Sequence, residues 1–291
     1  MTKPAGIDLH AHTTASDGSL SPTELVTKAS EFGLAALAVT DHDTASGLAE
    51  AREAAQAVGL ELVPGVELSV EDDKGRFHLL GYGFDTNNPE LAETLAALRV
   101  ARAERNALMA EKMAELGLPV TMDDVRAEAG EDSEVIARPH FAQALIKKGI
   151  VHSVQEAFDR YLATGKPLYL PKQGLTAHEA IALLHRAGGV AVMAHPGLVP
   201  QSASALAARV EHLAQDDGLD GIEAYYSQHS PADTERFLAL AGRLGLLVTG
   251  GSDFHGTPKP HVPLGVVHSG GPAAYSLLAA LRGRLSSPNS H

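Results

Sequence analysis

Short apolar and β-branched runs recur along this chain, and nearly all of them stop at a histidine or a carboxylate. Gly6 to Leu9 leads into His10-Ala11-His12, Leu34 to Thr40 into Asp41-His42-Asp43, and Leu60 to Val66 into Glu67. Phe77 to Phe84 contains His78, and Val190 to Ala194 ends at His195-Pro196. Gly221 to Ala224 leads into Tyr225-Tyr226, and Leu246 to Gly251 ends at Ser252-Asp253-Phe254-His255. These are seven strand-like endings with helical stretches between them. Surface polar residues have no reason to collect at strand ends. An α/β barrel gives them one, because the C-terminal ends of its strands converge on a single face. The first ending is also a metal signature: residues two apart on a strand point to the same side, so His10 and His12 offer paired imidazoles to one cation.

The pattern changes in the middle of the chain. Up to residue 87 short strands alternate with helices: Ser21-Pro22-Thr23-Glu24 reads as a capped helix start, Thr44 to Val58 as a helix stopped by Gly59, and Asp72 to Gly75 as a turn between two strands. From 88 to 174 the pattern turns helical. Pro89 to Leu116 is one long helical stretch, and further starts stand at Thr121, at Arg138-Pro139-His140 and at the capping box Ser153 to Glu156. Leu168-Tyr169-Leu170 is the one strand-like run in this block. So many helices exceed a single βα connection, so residues 88–174 are expected to form an inserted helical lobe, a lid or specificity wall. The barrel is expected to comprise 1–87 and 175–291, with later helices at Thr176 to Ala187, Ser202 to Ala214 and Pro231 to Leu244.

Composition narrows the chemistry. With no cysteine, disulfides, thiolate metal sites and cysteine nucleophiles are excluded, and a reducing, cytoplasmic setting is expected. A net charge of -13 argues against a broad nucleic-acid-binding surface. No apolar run approaches a membrane span, and no obligate protein partner is evident.

Taken together, His10-x-His12 with Asp17, Thr40-Asp41-His42-Asp43, Gly65-Val66-Glu67, Ala194-His195-Pro196 and Gly251-Ser252-Asp253-Phe254-His255 resemble, in order, the motifs of the PHP (polymerase and histidinol phosphatase) superfamily. The resemblance covers essentially the whole chain. It implies a distorted seven-stranded (β/α) barrel and two or three divalent ions (Mn²⁺, Fe²⁺ or Zn²⁺). Carried over by residue, one ion takes His10, His12, Glu67 and Asp253; Glu67 bridges to a second held by His78 and His195; a third takes Asp17, His42 and His255. The helical insertion with Arg138-Pro139-His140, Gly165-Lys166-Pro167 and Tyr226-Ser227-Gln228-His229-Ser230 look most like the TrpH/YciV-like subgroup. That implies hydrolysis of 3′,5′-bisphosphate nucleotides or of short 5′-phosphorylated RNA.

The residues suggest further roles. Mixed imidazole and carboxylate ligands suit transition metals that activate water for attack on phosphorus. Arg138, as a fork, and Lys166, as a point charge, are expected to hold phosphate, with His140 lining the same pocket or capping a helix and Lys172 a weaker candidate. His229 is the expected general acid at the rim and a phosphate contact, with His255 or a bound water as the alternative; Asp253 and His255 complete the catalytic set. Asp8, Asp41 and Asp43 are expected either to fix the tautomers of ligand histidines or to cap the adjoining loops. Three other readings compete. One is a histidinol-phosphate-type phosphatase. Another is an amidohydrolase, which would need a bridging lysine that no strand ending supplies. The third is a non-catalytic metal-binding module.

Overall fold

The computed structural model describes residues 6–72, 74–130, 135–171, 174–267 and 270–286; Lys172, and Asp73 of the expected turn, lie outside them. One sheet holds β1 (Ile7–Asp8), β2 (Ala36–Val39), β3 (Glu61–Asp72), β4 (Gly75–Tyr82), β5 (Val190–Met193), β6 (Gly221–Tyr226) and β7 (Leu247–Gly251), in chain order. The order curls into a barrel. β1 returns to β7 through Leu9 N–H to Gly250 O (3.1 Å), Asp253 N–H to His10 O (2.8 Å) and His12 N–H to Phe254 O (2.9 Å). Glycine permits this closure: a Cβ at Gly251 would stand 2.3 Å from the His10 Cβ.

Strand direction is not uniform. β3 and β4 form an antiparallel hairpin, β4 and β5 are also antiparallel, and every other pairing is parallel. Reversing β4 alone has a functional result, because its early residue His78 then lies at the face where the other strands end.

Period-two alternation divides the core. Ile7, Leu9, Ala36, Ala38, Val190, Val192 and Ala194 join one cluster, to which Leu278 and Leu281 of the last helix also belong. Their neighbours Leu37, Val39, Ala191 and Met193 join another, with residues of α1 (Pro22–Phe32), α2 (Leu48–Val58) and α7 (Ala177–Arg186). Each fully buried leucine here contributes about 1.5–3 kcal/mol relative to exposure. α8 (Ala203–Asp216) and α9 (Pro231–Leu244) continue the outer layer, and α10 (Tyr275–Ser286) follows β7.

Between β4 and β5 stand α3 (Pro89–Glu115), α4 (Met122–Ala129), α5 (Arg138–Lys147) and the short α6 (Val154–Ala157), which continues as a π-helical turn over Phe158–Leu162. α3 serves two cores. Leu91, Leu95 and Leu98 pack with the barrel's outer cluster, whereas Met109 and Met113 pack with Phe141, Leu145 and Leu168 in a separate one. Between them its buried stretch is polar: Arg102, Arg105 and Asn106.

Two expectations need correction. Leu168-Tyr169-Leu170 forms no strand; Tyr169 N–H closes a turn onto Lys166 O (2.9 Å), and Leu168 is buried in the helical cluster. α2 begins at Leu48 rather than Thr44, because the Thr44 hydroxyl accepts from Ser46 N–H in a turn that follows the left-handed Asp43 (φ 53).

Candidate metal centre

Glu67 is the hub of the strand-end cluster. Its Oε2 faces His10 Nε2 (3.4 Å), His12 Nε2 (3.2 Å) and His42 Nδ1 (3.1 Å), and its Oε1 faces His78 Nδ1 (2.7 Å) and His195 Nε2 (2.9 Å). Asp253 Oδ1 meets His10 Nε2 (3.5 Å), His12 Nε2 (3.3 Å) and His255 Nδ1 (3.3 Å). Asp17 Oδ1 lies 3.3 Å from His255 Nε2, and its Oδ2 lies 3.9 Å from His42 Nε2. All nine side chains of the inferred ligand set are therefore brought together. The grouping is more shared than inferred: His12 joins Asp17, His42 and His255, and His42 joins Glu67 and His78.

The donor set fits divalent cations. His10 Nε2, His12 Nε2, His42 Nδ1, His195 Nδ1 and Glu67 Oε2 are buried and make no hydrogen bond. A folded protein does not ordinarily strand so many polar atoms together, at about 1–3 kcal/mol each. An all-nitrogen-and-oxygen cage of imidazoles and carboxylates matches transition-metal ligation. Strain marks the same places: Asp43 (φ 53), His195 (φ 26) and Asp253 (φ 59) are left-handed non-glycine residues, all at strand ends of this cluster.

Protonation follows the crowding. Burial opposes the charged form of Glu67, yet His42, His78 and His10 hold its carboxyl well below the usual range. Burial also works against the His12 imidazolium, but Asp253 and Glu67 raise its pKa to about 9. His42 is pushed down to about 3 by burial.

Of the two roles expected for Asp8, Asp41 and Asp43, their hydrogen bonds favour the second, the tying of adjoining loops. Asp41 accepts from Thr13 N–H (2.8 Å), Thr13 Oγ1 (2.6 Å) and Ser16 Oγ (2.6 Å). Asp43 accepts from Ser69 N–H (3.0 Å) and from Arg102, and Asp8 from Ser252, Gly265 N–H (2.8 Å) and the His10 backbone N–H (3.1 Å). These bonds tie strand-end loops, and none of them goes to an imidazole of the inferred ligand set. The carboxylate that orients a ligand ring is Glu223, which sequence reasoning missed: its Oε1 lies 3.0 Å from His10 Nδ1 and its Oε2 accepts from His195 N–H (2.8 Å). Its signal was present, since Glu223 stands mid-strand in a run that otherwise buries apolar residues.

Beside the cluster a cavity of about 200 Å³ opens, lined by Asp17, His42, His78 and His255 and by Arg76, Arg102, Arg105 and Arg138, with Lys259 and Phe158. Arg76 and Arg138 lie near the Tyr169 ring, with guanidinium carbons 5.0 and 5.9 Å from its centroid. Arg102 pairs with Asp43, whereas among the described residues neither Arg105 nor Arg138 pairs with a carboxylate. Burial together with the Arg102, Arg138 and Arg76 charges brings Arg105 down to about 9. Of these cations only Arg138 was expected.

The other expected phosphate contacts fare differently. Lys166 is exposed and does not line the cavity. His140 is buried, and its Nδ1 accepts from Ala137 N–H (3.1 Å), capping α5. His229 is not at the rim: it is 4 % exposed, its Nδ1 lies 3.0 Å from Ala224 O, and its Nε2 accepts from Gly197 N–H (3.1 Å). Burial lowers its pKa. With both nitrogens committed to backbone, His229 braces the turn after His195 and has no proton-transfer position left. Gly197 leaves the ring its space, since a Cβ there would come within 2.7 Å of it.

Residues 8–223 match the PHP domain model. The chain is 39 % identical over 260 residues (89 % of this chain, 87 % of the relative) to a 5′-3′ exoribonuclease, Rnm, of Escherichia coli. It is 38 % identical over 251 residues (86 % and 87 %) to a 3′,5′-nucleoside bisphosphate phosphatase of Chromobacterium violaceum. A solved structure from Chromobacterium violaceum, described as an amidohydrolase with bound sulfate and no metal, superposes with a TM-score of 0.86 at 34 % identity, over 98 % of this chain and 99 % of that one. The order of the strand-end ligands, the seven-stranded barrel and these matches agree: this chain belongs to the PHP family, and it is a phosphoesterase.

Proposed function

We propose that this protein hydrolyses phosphate esters of nucleotides, either 3′,5′-bisphosphate nucleotides or short 5′-phosphorylated RNA. One observation carries the reading. In a chain of net charge -13, four arginines crowd one wall of the cavity beside the imidazole–carboxylate cluster, two of them without a carboxylate partner among the described residues. Assembling like charges in a buried wall is costly unless an anion completes it. A guanidinium fork matches phosphate oxygens in geometry. The relatives named above are a 5′-3′ exoribonuclease and a 3′,5′-nucleoside bisphosphate phosphatase.

In this reading one ion would be held by His10, His12, Glu67 and Asp253, a second by Glu67, His78 and His195 with His42, and a third by Asp17, His42 and His255. Bound there, Mn²⁺, Fe²⁺ or Zn²⁺ would supply Lewis acidity and water acidified toward neutral pH. The chain's own residues do the rest. Glu223 fixes the His10 ring through Nδ1, leaving Nε2 toward the cluster. Tyr226 donates to Asp253 Oδ2 (2.8 Å), so that Oδ1 is the oxygen that faces His10 and His12. Arg105 and Arg138 orient the phosphate that is not cleaved, and residues 88–174, which carry them, act as the specificity lobe. The cysteine-free composition supports a cytoplasmic setting.

The test is phosphate release from mononucleotides, 3′,5′-bisphosphates, 5′-phosphorylated RNA fragments and histidinol phosphate, each with Mn²⁺. Turnover confined to histidinol phosphate would overturn the nucleotide reading.

A further inference from the structure

Lys259 stands apart from the arginine wall. It lies in the loop after β7, where its Nζ donates to Asp253 Oδ2 at 2.6 Å, and it lines the cavity with 31 % of its side chain exposed. Its electrostatic neighbours are Asp253, Asp17 and Glu67, the carboxylates of the cluster, whereas Arg105 and Arg138 are surrounded by other arginines. The cavity therefore has two cationic poles, a guanidinium wall and a single ammonium at the cluster's edge.

We propose that Lys259 is a catalytic residue of the phosphoesterase reaction, its ammonium meeting the oxygens of the phosphoryl group under attack while its bond to Asp253 holds it in place. This rests on the function proposed above. Several features converge on it. An ammonium carries three donors, and among the described residues the only side-chain partner that engages Lys259 is one carboxylate oxygen. That oxygen is shared with the Tyr226 hydroxyl, which by itself keeps Asp253 Oδ1 turned to the imidazoles. A purely structural lysine is thus redundant for Asp253. The loop is also anchored where it needs to be, since Lys259 N–H donates to Gly256 O (3.1 Å) and Val262 N–H donates to Lys259 O (3.0 Å).

In hydrolysis, water forms a new P–O bond and the ester oxygen leaves with the electrons of the old one, taking up the proton that the water releases. Negative charge on the non-bridging oxygens must be held throughout, and a fixed cation costs no reorganisation as the reaction proceeds.

The absence of cysteine from the chain makes a clean test possible. Lys259→Cys is prepared with its metal and assayed for nucleotide turnover, metal content and inhibition by inorganic phosphate. It is then alkylated with 2-bromoethylamine, which restores an ammonium of nearly the same reach, or with bromopropane, which restores only bulk. Expected are a fall in kcat of about 100-fold, weaker inhibition by phosphate, unchanged metal content, and recovery with the amine alone. The proposal is overturned by full turnover in Lys259→Cys, by equal recovery with bromopropane, or by loss of metal, which would make Lys259 a prop for Asp253 only. Lys259→Arg guards against misfolding: it keeps charge and bulk, and is expected to retain metal and partial turnover, whereas metal loss there also overturns the proposal. Inactive wild-type protein would instead refute the function on which it rests.

Discussion

Glu223 Oε1 stands 3.0 Å from His10 Nδ1, in a contact with no exposure to solvent on either side. The pair settles which nitrogen of His10 faces Glu67 and Asp253. Glu223→Gln keeps the shape but can present its amide nitrogen to the ring as readily as its oxygen, so the ring loses its charged anchor. Metal affinity is expected to fall about 10–100-fold with little change in fold. Competition against a chelator of known affinity, with circular dichroism as the control, measures both; unchanged affinity would show that His10 is oriented by packing alone.

What the sequence made legible was whatever depends on local spacing. The seven strand ends could be read because a barrel gathers them on a single face, and the His10–His12 pair because of a strand's period of two, whereas the wider donor set was inferred from the order of motifs shared with the PHP family. What escaped it depends on contacts between distant segments. Glu223 reaches His10 across 213 positions, and Arg102 reaches Asp43 across 59, so no local pattern announces either contact, although a carboxylate inside the apolar run of β6 marks Glu223 as unusual. His229 failed as an acid for the opposite reason. Its motif placed it after the right strand, but only the fold shows both ring nitrogens spent on backbone. Leu168 to Leu170 has strand composition, and its pairing partner is missing because the segment closes on Tyr161 and Lys166 instead.

Asp253 combines a place in the proposed ligand set with backbone strain. At φ 59 a β-branched residue is disfavoured, whereas asparagine tolerates the left-handed region. Asp253→Asn is expected to fold with near-native stability in chelator, to lose bound metal and to drop turnover to background. Asp253→Val should do the same and lose a further about 1–3 kcal/mol from backbone strain. Denaturant midpoints of the two variants separate the effects; equal midpoints would show that the loop relaxes around any side chain.

His229 offers a test by pH. Burial lowers its pKa in the folded protein, while the unfolded chain titrates near the ordinary value of about 6.5. Above that value both states are neutral and its full contribution is present. Below it the unfolded chain takes up a proton that the folded one refuses, so stability is lost as pH falls. His229→Gln is expected to be less stable at about pH 7.5, because stranding Gly197 N–H or Ala224 O costs about 1–3 kcal/mol, yet to lose less on going to about pH 5. Urea midpoints of both proteins in chelator give the comparison. Its pH–rate profile should keep the wild-type shape, and loss of one limb would restore His229 as the general acid.

Arg138 and Lys166 were both phosphate candidates in the sequence, and the fold separates them. Arg138 lines the cavity, its guanidinium held by Leu162 O (3.3 Å) and by the Phe158 and Tyr169 rings, whereas Lys166 is exposed and lines no part of it. Losing a charged hydrogen bond worth about 1.5–3 kcal/mol should raise KM for a phosphorylated nucleotide by about 10- to 100-fold in Arg138→Ala, with metal content intact. Lys166→Ala should leave KM within about twofold, since a solvated charge outside the cavity gains little from a ligand inside it. The rise in Arg138→Ala should shrink for substrates carrying a single phosphate, because the group it holds is then absent. Equal effects on singly and doubly phosphorylated substrates would move Arg138 from recognition of the second phosphate to support of the α5 start.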